Sequence, residues 1–163
     1  MGDYVTRDFM KPILAFVKTC PFLGEYYINL DPIGTRRFTV SKPNASALES
    51  IGSAMIGEPK IDVHGNMRTN RQANFNLWLL RESNHNVLRT ETANFLLNFE
   101  QWVEQQQFDQ LCPKLSSHEY TKAKEFMWAD NGIYFSEWED KSEASIYLVQ
   151  LHISYFNTYL KGR

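Results

Sequence analysis

Residues 145–155, SIYLVQLHISY, decide the fold of this 163-residue chain. Every second side chain in this stretch is large and apolar: Tyr147, Val149, Leu151, Ile153 and Tyr155. Successive side chains of a β-strand point to opposite faces of the sheet, so this alternation predicts a strand with one buried face. Residues 71–81 alternate in the same way, with Phe75, Leu77 and Leu79 on one side. The sequence therefore predicts a sheet with an apolar face that other elements must cover.

Two segments with helical spacing are available to cover that face. In residues 6–19, apolar side chains recur every three or four positions, and Pro21 ends the pattern. Residues 87–107 carry a longer apolar stripe, formed by Leu88, Thr92, Phe95, Leu96, Phe99, Trp102 and Val103. An amphipathic helix buries its apolar stripe against another element, so we expect both helices to pack on the sheet.

Residue types that favour turns indicate where the remaining strands begin and end. Residues 25–30 and 36–41 are predicted to form a hairpin across Asp31-Pro32-Ile33-Gly34, and residues 120–129 and 133–137 another across Asp130-Asn131-Gly132. Residues 42–69 are rich in Gly, Ser, Asn and Pro and have only short apolar pieces. We expect them to form a long irregular and mobile loop, because unstructured segments of this length are usually functional or mobile.

Together these elements predict an α+β fold: an antiparallel or mixed β-sheet with two helices packed on one face, plus a long irregular loop. With no internal repeat and no linker, residues 1–163 are expected to form a single domain. A composition of 43% hydrophobic and 22% charged residues excludes disordered, collagen-like and coiled-coil proteins. No stretch approaches the roughly 18 apolar residues of a membrane span, and residues 1–12 lack a secretory signal, so a soluble cytosolic product is expected.

Charge is distributed unevenly along the chain. Residues 33–89 contain eight basic and four acidic residues, whereas residues 90–143 contain eleven acidic and four basic ones. Opposed charges favour head-to-tail self-association, in which a positive face meets the negative face of the next copy, although two solvated faces give the same pattern. A pI near 6.1 and the absence of a Lys/Arg cluster disfavour nucleic-acid binding.

Motifs for catalysis or metal binding are absent from the sequence. The four histidines show no metal-ligand spacing, and the nearest approach, Asp62-x-His64, supplies two ligands where zinc sites need three or four. There is no nucleophile elbow, dinucleotide-binding loop or P-loop. Cys20 and Cys112 each precede a proline and are interpreted as small buried thiols near helix ends. We expect no enzyme activity, no cofactor and no metal.

Four pieces of the chain resemble one family of phage proteins. They are DFMKPILAFVKTCPFL near the start, FLLNFEQWVEQQQ at the end of the longer helix, the LCPKL that follows it, and the closing ADNGIYF and ASIYLVQLHISYF. With these, the chain is similar to small tail terminator, minor tail or minor capsid proteins of bacteriophages and prophages of Gram-positive hosts. Residues 44–70 match this pattern least.

The resemblance implies an α+β domain that assembles as a ring, commonly of six copies, on the last ring of the tail tube. Such a ring stops tube polymerisation and offers a surface to the head connector. The implied partners are other copies of the chain, the tail tube protein and the head connector protein, in a virion assembled in the host cytoplasm. A ring needs two different contact patches. We expect one to include Arg36, Arg37, Arg68 and Arg71, and the other Glu137, Glu139 and Asp140.

Three other functions stay open from the sequence. A head-completion, connector or minor capsid protein would bind the portal side instead of the tube. A small-substrate enzyme would need a nucleophile or base in a pocket, and no coherent set of residues is recognisable. A binding module for a carbohydrate or peptide rests on aromatic content alone, since the four tryptophans fall in periodic elements where packing is the commoner use.

Overall fold

The structure is a computed structural model that describes residues 7–21, 23, 30–32, 45–82, 86–117, 125–137 and 144–162. Two helices and five strands are described in these residues. In chain order they are α1 (Met10–Lys18), β1 (Leu30–Pro32), β2 (Ala45–Ile61), β3 (Met67–Glu82), α2 (Asn86–Phe108), β4 (Phe126–Glu137) and β5 (Ala144–Tyr159). The predicted helices over residues 6–19 and 87–107 correspond to α1 and α2.

The five strands form one mixed sheet in the order β1-β2-β3-β5-β4. β1 runs parallel to β2, and the other neighbours are antiparallel. The central pair, β3 and β5, stays in register from Met67↔Tyr159 to Glu82↔Ala144 without a bulge. Both strands include the alternating stretches that the sequence identifies, residues 71–81 and 145–155, and extend beyond them.

Both helices pack on the same face of this sheet. The buried cluster beneath them takes odd-numbered side chains from β3 and β5, such as Leu77 and Val149, and the apolar stripes of both helices. Phe16 of α1 and Trp102 of α2 also contact each other, with ring centroids 4.9 Å apart. The predicted α+β class with two helices on one face is therefore confirmed.

The predicted irregular loop over residues 42–69 is wrong for its described part. Residues 45–61 form β2, residues 62–66 form a turn, and β3 begins at Met67. Every side chain from residue 51 to residue 64 is exposed, so this part of β2 is held by backbone pairing with β3. Because neither of its faces is buried, its sequence does not alternate between apolar and polar residues. Its glycines at 52 and 57 have φ of 90° and 70° and lie at the two interruptions of register. They are therefore bulge positions within a strand.

The predicted turn at residues 130–132 is also wrong, because β4 continues through it. Asn131 has φ of 57° and the register with β5 shifts between Asp130 and Ile133, which defines a bulge. Gly132 packs closely against α2: an added Cβ would lie 3.0 Å from the Cβ of Leu96, and the backbone N–H of Gly132 donates to Glu100 Oε1 at 3.1 Å. Asn131 and Gly132 are residue types that favour turns, but here they form a bulge that bends β4 against α2.

The predicted hairpin in the first quarter of the chain is corrected in part. Asp31 and Pro32, expected in its turn, belong to β1 and pair with Ala47 and Leu48 of β2. Proline lacks a backbone donor, so its place in a short strand at the edge of the sheet is compatible with its chemistry. Residues 25–29 and 33–41, the rest of that prediction, lie outside the described residues, as do residues 120–124 before β4.

Candidate functional site

The sheet extends past its helices as a three-stranded arm. We define the arm as residues 51–61 of β2, 67–72 of β3 and 154–159 of β5, which pair with each other in that order. Leu48 and Ala73 are the last buried apolar residues of β2 and β3 on this side. The arm therefore shares its backbone ladder with the body of the sheet but lacks the helices that cover the body.

The outer edge of the arm is an open strand edge. β1 pairs with β2 only as far as Leu48, and in the described part of the chain no strand pairs with the outer side of residues 51–61. Ile51, Met55 and Ile56 are exposed along it. Unpaired edges with exposed apolar side chains are surfaces for contact with another chain. Glu58 and Pro59, within the second bulge, are the kind of residues that prevent uncontrolled strand addition.

The tip of the arm is an ordered turn built around Asp62. Its carboxylate accepts hydrogen bonds from the backbone N–H of His64 at 2.8 Å and from both the backbone and the side chain of Asn66 at 3.0 Å. Desolvation acts to raise the pKa of Asp62, but these hydrogen bonds outweigh it and the pKa lies below its ordinary value. Asn66 in turn accepts from the backbone N–H of Lys161 at 3.0 Å, which fastens the chain after β5 to the turn.

The Asp62 carboxylate and the backbone of His64 thus stabilise the turn. No group of three or more His, Cys, Asp or Glu side chains close enough to hold a metal ion occurs among the described residues. An open pocket of about 320 Å³ lies beside the same turn. It is lined by Lys60, Ile61, Asp62, Asn66, Met67, Arg68, Thr158 and Leu160.

The structure separates the basic residues that the sequence groups together. Arg68 and Arg71 both lie in the arm, but they are three positions apart in a strand and so point to opposite faces. On the helix-free face, the Arg68 guanidinium lies 5.2 Å from the centroid of the Phe156 ring. On the helix-facing side, Arg71 donates to Ser53 Oγ from Nε at 3.3 Å and from Nη2 at 3.1 Å. Arg36 and Arg37 lie outside the described residues.

The predicted acidic patch falls mostly outside the described residues. Glu137 ends β4, whereas Glu139 and Asp140 are not described. A different acidic surface is present on α2 and its following segment. Residues 90–113 contain Glu91, Glu100, Glu104 and Asp109 but no lysine or arginine. These residues belong to the acidic segment 90–143 that the sequence shows, but the sequence prediction for the patch took its residues from 137–140.

The acidic helix also carries exposed apolar side chains. Leu97 is 63% exposed and Phe108 is 80% exposed. Counted at 100° per residue, both lie opposite the buried stripe of Phe95, Phe99 and Val103, on the side away from the sheet. The signal in the sequence was the position of Leu97 outside the apolar stripe, where a polar residue is the ordinary choice.

The helix-free face of the sheet carries a ladder of polar side chains. His152 Nδ1 lies 2.6 Å from Asn74 Oδ1, and its Nε2 lies 2.8 Å from Asp130 Oδ1. The ring of Trp128 stacks on the imidazole with centroids 5.1 Å apart. A second row contains Glu49, Asn76, Gln150 and Asn131. Both ring nitrogens of His152 are thus engaged by neighbours, as is typical of a sheet histidine with a structural role.

Among the described residues, Glu125 and Cys112 also have displaced pKa values. Desolvation raises the pKa of the Cys112 thiol to about 11, with a further contribution from the charge of Glu125, so the thiol is protonated at neutral pH. Glu125 Oε1 accepts hydrogen bonds from the backbone N–H of Leu115 and of Ser116, each at 2.8 Å. These bonds outweigh the effect of desolvation and lower the pKa of Glu125. The hydrogen bonds of Glu125 hold residues 115 and 116, which follow α2, beside the start of β4.

Compared with models of known protein families and with curated proteins, the chain matches none. Among the described residues, no helix is both long enough and apolar enough to cross a membrane. The function is therefore inferred from the geometry of the chain and from the resemblance of its sequence.

Proposed function

We propose that this protein is a structural component of a phage or prophage virion, and specifically a tail terminator. In this role, copies of the chain form a ring on the end of the tail tube, stop its polymerisation and present a surface for joining to the head. Its partners are other copies of itself, the tail tube protein and the head connector protein. The resemblance of the four sequence pieces first suggests this class.

The structural observation that carries the proposal is the arm. A three-stranded extension with an open edge and exposed Ile51, Met55 and Ile56 has no use in a monomer that works alone, and exposed apolar side chains lower its solubility. Protein–protein contact gives these residues a function. The acidic α2 with its exposed Leu97 and Phe108 is a second and different surface. Two unlike patches on one chain are what a ring requires, because its contacts are heterologous.

The chemistry of the described side chains supports an assembly role over an enzymatic one. The imidazole of His152 is held on both sides by Asn74 and Asp130 and covered by Trp128. The Cys112 thiol is protonated and donates to Gln107 Oε1 at 3.1 Å. Neither group is arranged as an activated nucleophile or a free base. No cofactor is needed for the proposed role.

Electron microscopy of particles from an induced lysogen in which only this gene is deleted tests the proposal. We expect overlong tubes of variable length that are not attached to filled heads. A plasmid copy of the full chain should restore uniform tails, and the empty plasmid is its matched control. Tails of normal length beside unattached, filled heads would instead assign a head-completion or connector role. Normal infectious particles would contradict both roles.

A further inference from the structure

We infer that the arm of one copy docks on the outer surface of helix α2 of the next copy. This inference rests on the proposed ring and specifies the contact from which the ring is built. The arm patch consists of four side chains on the helix-facing side of the arm: the exposed Met55, Ile61 and Tyr159 and the half-buried Arg71. The helix patch consists of Leu97, Glu104 and Phe108 on the outward side of α2.

The register places the four side chains of the arm patch on one face. Met55 pairs directly with Arg71, and both Ile61 and Tyr159 pair with Met67. Directly paired residues project on the same side of a sheet. Met55 is 45%, Ile61 70% and Tyr159 52% exposed. The patch is thus apolar with a guanidinium at its inner end, and none of it is used by the core.

The helix patch has a matching length and composition. Leu97 and Phe108 are eleven residues apart, which corresponds to about 16 Å along a helix. Met55 and Ile61 are six residues apart, or at most about 20 Å along a strand before the bulge shortens it. The Glu104 carboxylate lies on the same outward side as the two apolar residues, seven positions after Leu97. Each patch therefore offers apolar side chains with one charge of opposite sign.

The charge balance of the two regions decides which surfaces meet. The arm contains three basic residues and one acidic one, whereas α2, residues 86–108, contains three acidic residues and one basic one. Two arms, or two α2 helices, placed face to face would bring like charges together, which costs several kcal/mol in an interface. Arm against helix brings opposite charges together. The contact is therefore heterologous, and repeated from copy to copy such a contact builds the proposed ring when the rotation between neighbouring copies closes.

The helix patch is out of reach of the arm in the same copy. The buried stripe of α2 packs on the body of the sheet, so its outward side faces away from the sheet to which the arm belongs. The described arm extends in the plane of that sheet past Ala73. The occupant of each patch is a second copy of the chain.

A charge exchange tests this pairing in the deletion lysogen. Full-length chains carrying Arg71→Glu alone, Glu104→Arg alone or Lys11→Glu are supplied from plasmids, and infectious titre and tail length are measured. We expect each of the first two to reduce the titre at least tenfold, because like charges then meet in every contact. Lys11 is exposed on α1 and belongs to neither patch, so its reversal should leave the titre unchanged.

Co-expression of the Arg71→Glu and Glu104→Arg chains is the decisive experiment. In a ring where the two kinds alternate, the substituted arm of one chain meets the substituted helix of the other, and the unchanged arm meets the unchanged helix. Every contact again pairs opposite charges, so we expect the titre to return to within about threefold of wild type. Sedimentation of the purified full-length proteins, alone and mixed, provides the same comparison without infection. Melting curves check that each variant is folded.

Three outcomes would overturn the inference. They are single variants with a wild-type titre, a mixture that stays as defective as its folded components, and a wild-type chain that is monomeric both in solution and on purified tails. The proposed function fails separately, when the deletion itself leaves tail length unchanged. In that case the mixture in the sedimentation experiment still decides whether arm and helix pair.

Discussion

The body and the arm of the sheet share strands β3 and β5 but are stabilised in different ways. In the body, odd-numbered side chains such as Leu77 and Val149 are fully buried beneath two helices. In the arm, the same ladder continues with exposed side chains on residues 51–61 of β2, mostly half-buried ones on β3 and β5, two bulges in β2 and a turn ordered by Asp62. The body is held by apolar burial and the arm by backbone pairing and local hydrogen bonds. An element that does not depend on its side chains for folding has them available for a partner.

The largest effect is expected from truncating a core side chain of the body. Phe99 of α2 is fully buried, so Phe99→Ala should lower the free energy of unfolding by about 3–5 kcal/mol, through lost burial and the cavity left behind. Met55→Ala in the arm is the matched control and should cost less than about 0.5 kcal/mol. Urea denaturation of both variants measures the difference. Equal losses would contradict the division between body and arm.

A smaller effect is expected where β4 meets α2. A side chain at position 132 would press on Leu96 and on the Glu100 carboxylate, so Gly132→Val should destabilise the protein by about 1–3 kcal/mol. The control is Gly52→Ala in the arm, where an added Cβ meets nothing within 4 Å and only its φ of 90° is unfavourable. We expect Gly52→Ala to cost about 1 kcal/mol. Thermal melting should rank the two, and the reverse order would refute the bulge contact.

The pH dependence of stability should identify the role of Glu125. Its pKa in the folded protein is lower than its ordinary value of 4.5, so it stabilises the fold above that value and this contribution is lost as the pH falls. Glu125→Gln keeps an amide oxygen that can accept from the two backbone N–H groups but removes the negative charge at this partly exposed site, which should cost about 1 kcal/mol at pH 7. As the pH falls below 4.5 and through the lowered pKa of Glu125, the variant and the wild type should converge. If the stability curves of the variant and the wild type instead stay parallel from about pH 7 to about pH 3, the carboxylate does not act through its charge and the prediction is wrong.

The smallest effect on stability is expected from charge reversal in the arm. Among the described residues, Arg71 donates to Ser53 Oγ at a partly exposed site, so Arg71→Glu should change the free energy of unfolding by less than about 0.5 kcal/mol. Its effect on assembly should be large, as argued above. Urea denaturation beside the titre measurement separates the two. A loss of stability as large as that of Phe99→Ala would make Arg71 a folding residue.

The body was predictable from sequence because its side chains alternate between apolar and polar environments. The odd-numbered face of β3 and β5 and one stripe of α2 are buried, and this periodicity is visible without a structure. Trp78, Leu80, Ile146 and Leu148 are buried on the other face of the sheet as well. The arm was not predictable, since both faces of residues 51–61 are exposed and periodicity carries no signal there. Asn131-Gly132 has the chemistry of a turn and serves a bulge, because its packing against Leu96 is a tertiary contact.

The candidate surface was predictable only in outline. The basic segment and the acidic segment that follows it are visible in the sequence, and the arm and α2 lie within them. Grouping Arg68 with Arg71 failed because residues three apart share one side of a helix but opposite faces of a strand. The predicted loop over residues 42–69 had concealed that Arg68 lies in the same strand as Arg71. Of the apolar residues of the helix patch, Leu97 stands outside the apolar stripe already in the sequence, whereas the exposure of Phe108 is seen only in the structure.

The central claim is that this chain ends a tail tube by docking its arm on the helix of the next copy. Tail-length distributions in the deletion lysogen, measured by electron microscopy with wild-type and Leu97→Asp chains supplied in turn, test it most directly. Leu97 is exposed, so its replacement should leave the fold intact. We expect wild type to restore uniform tails and Leu97→Asp to leave overlong tubes. Uniform tails with both chains would contradict the claim.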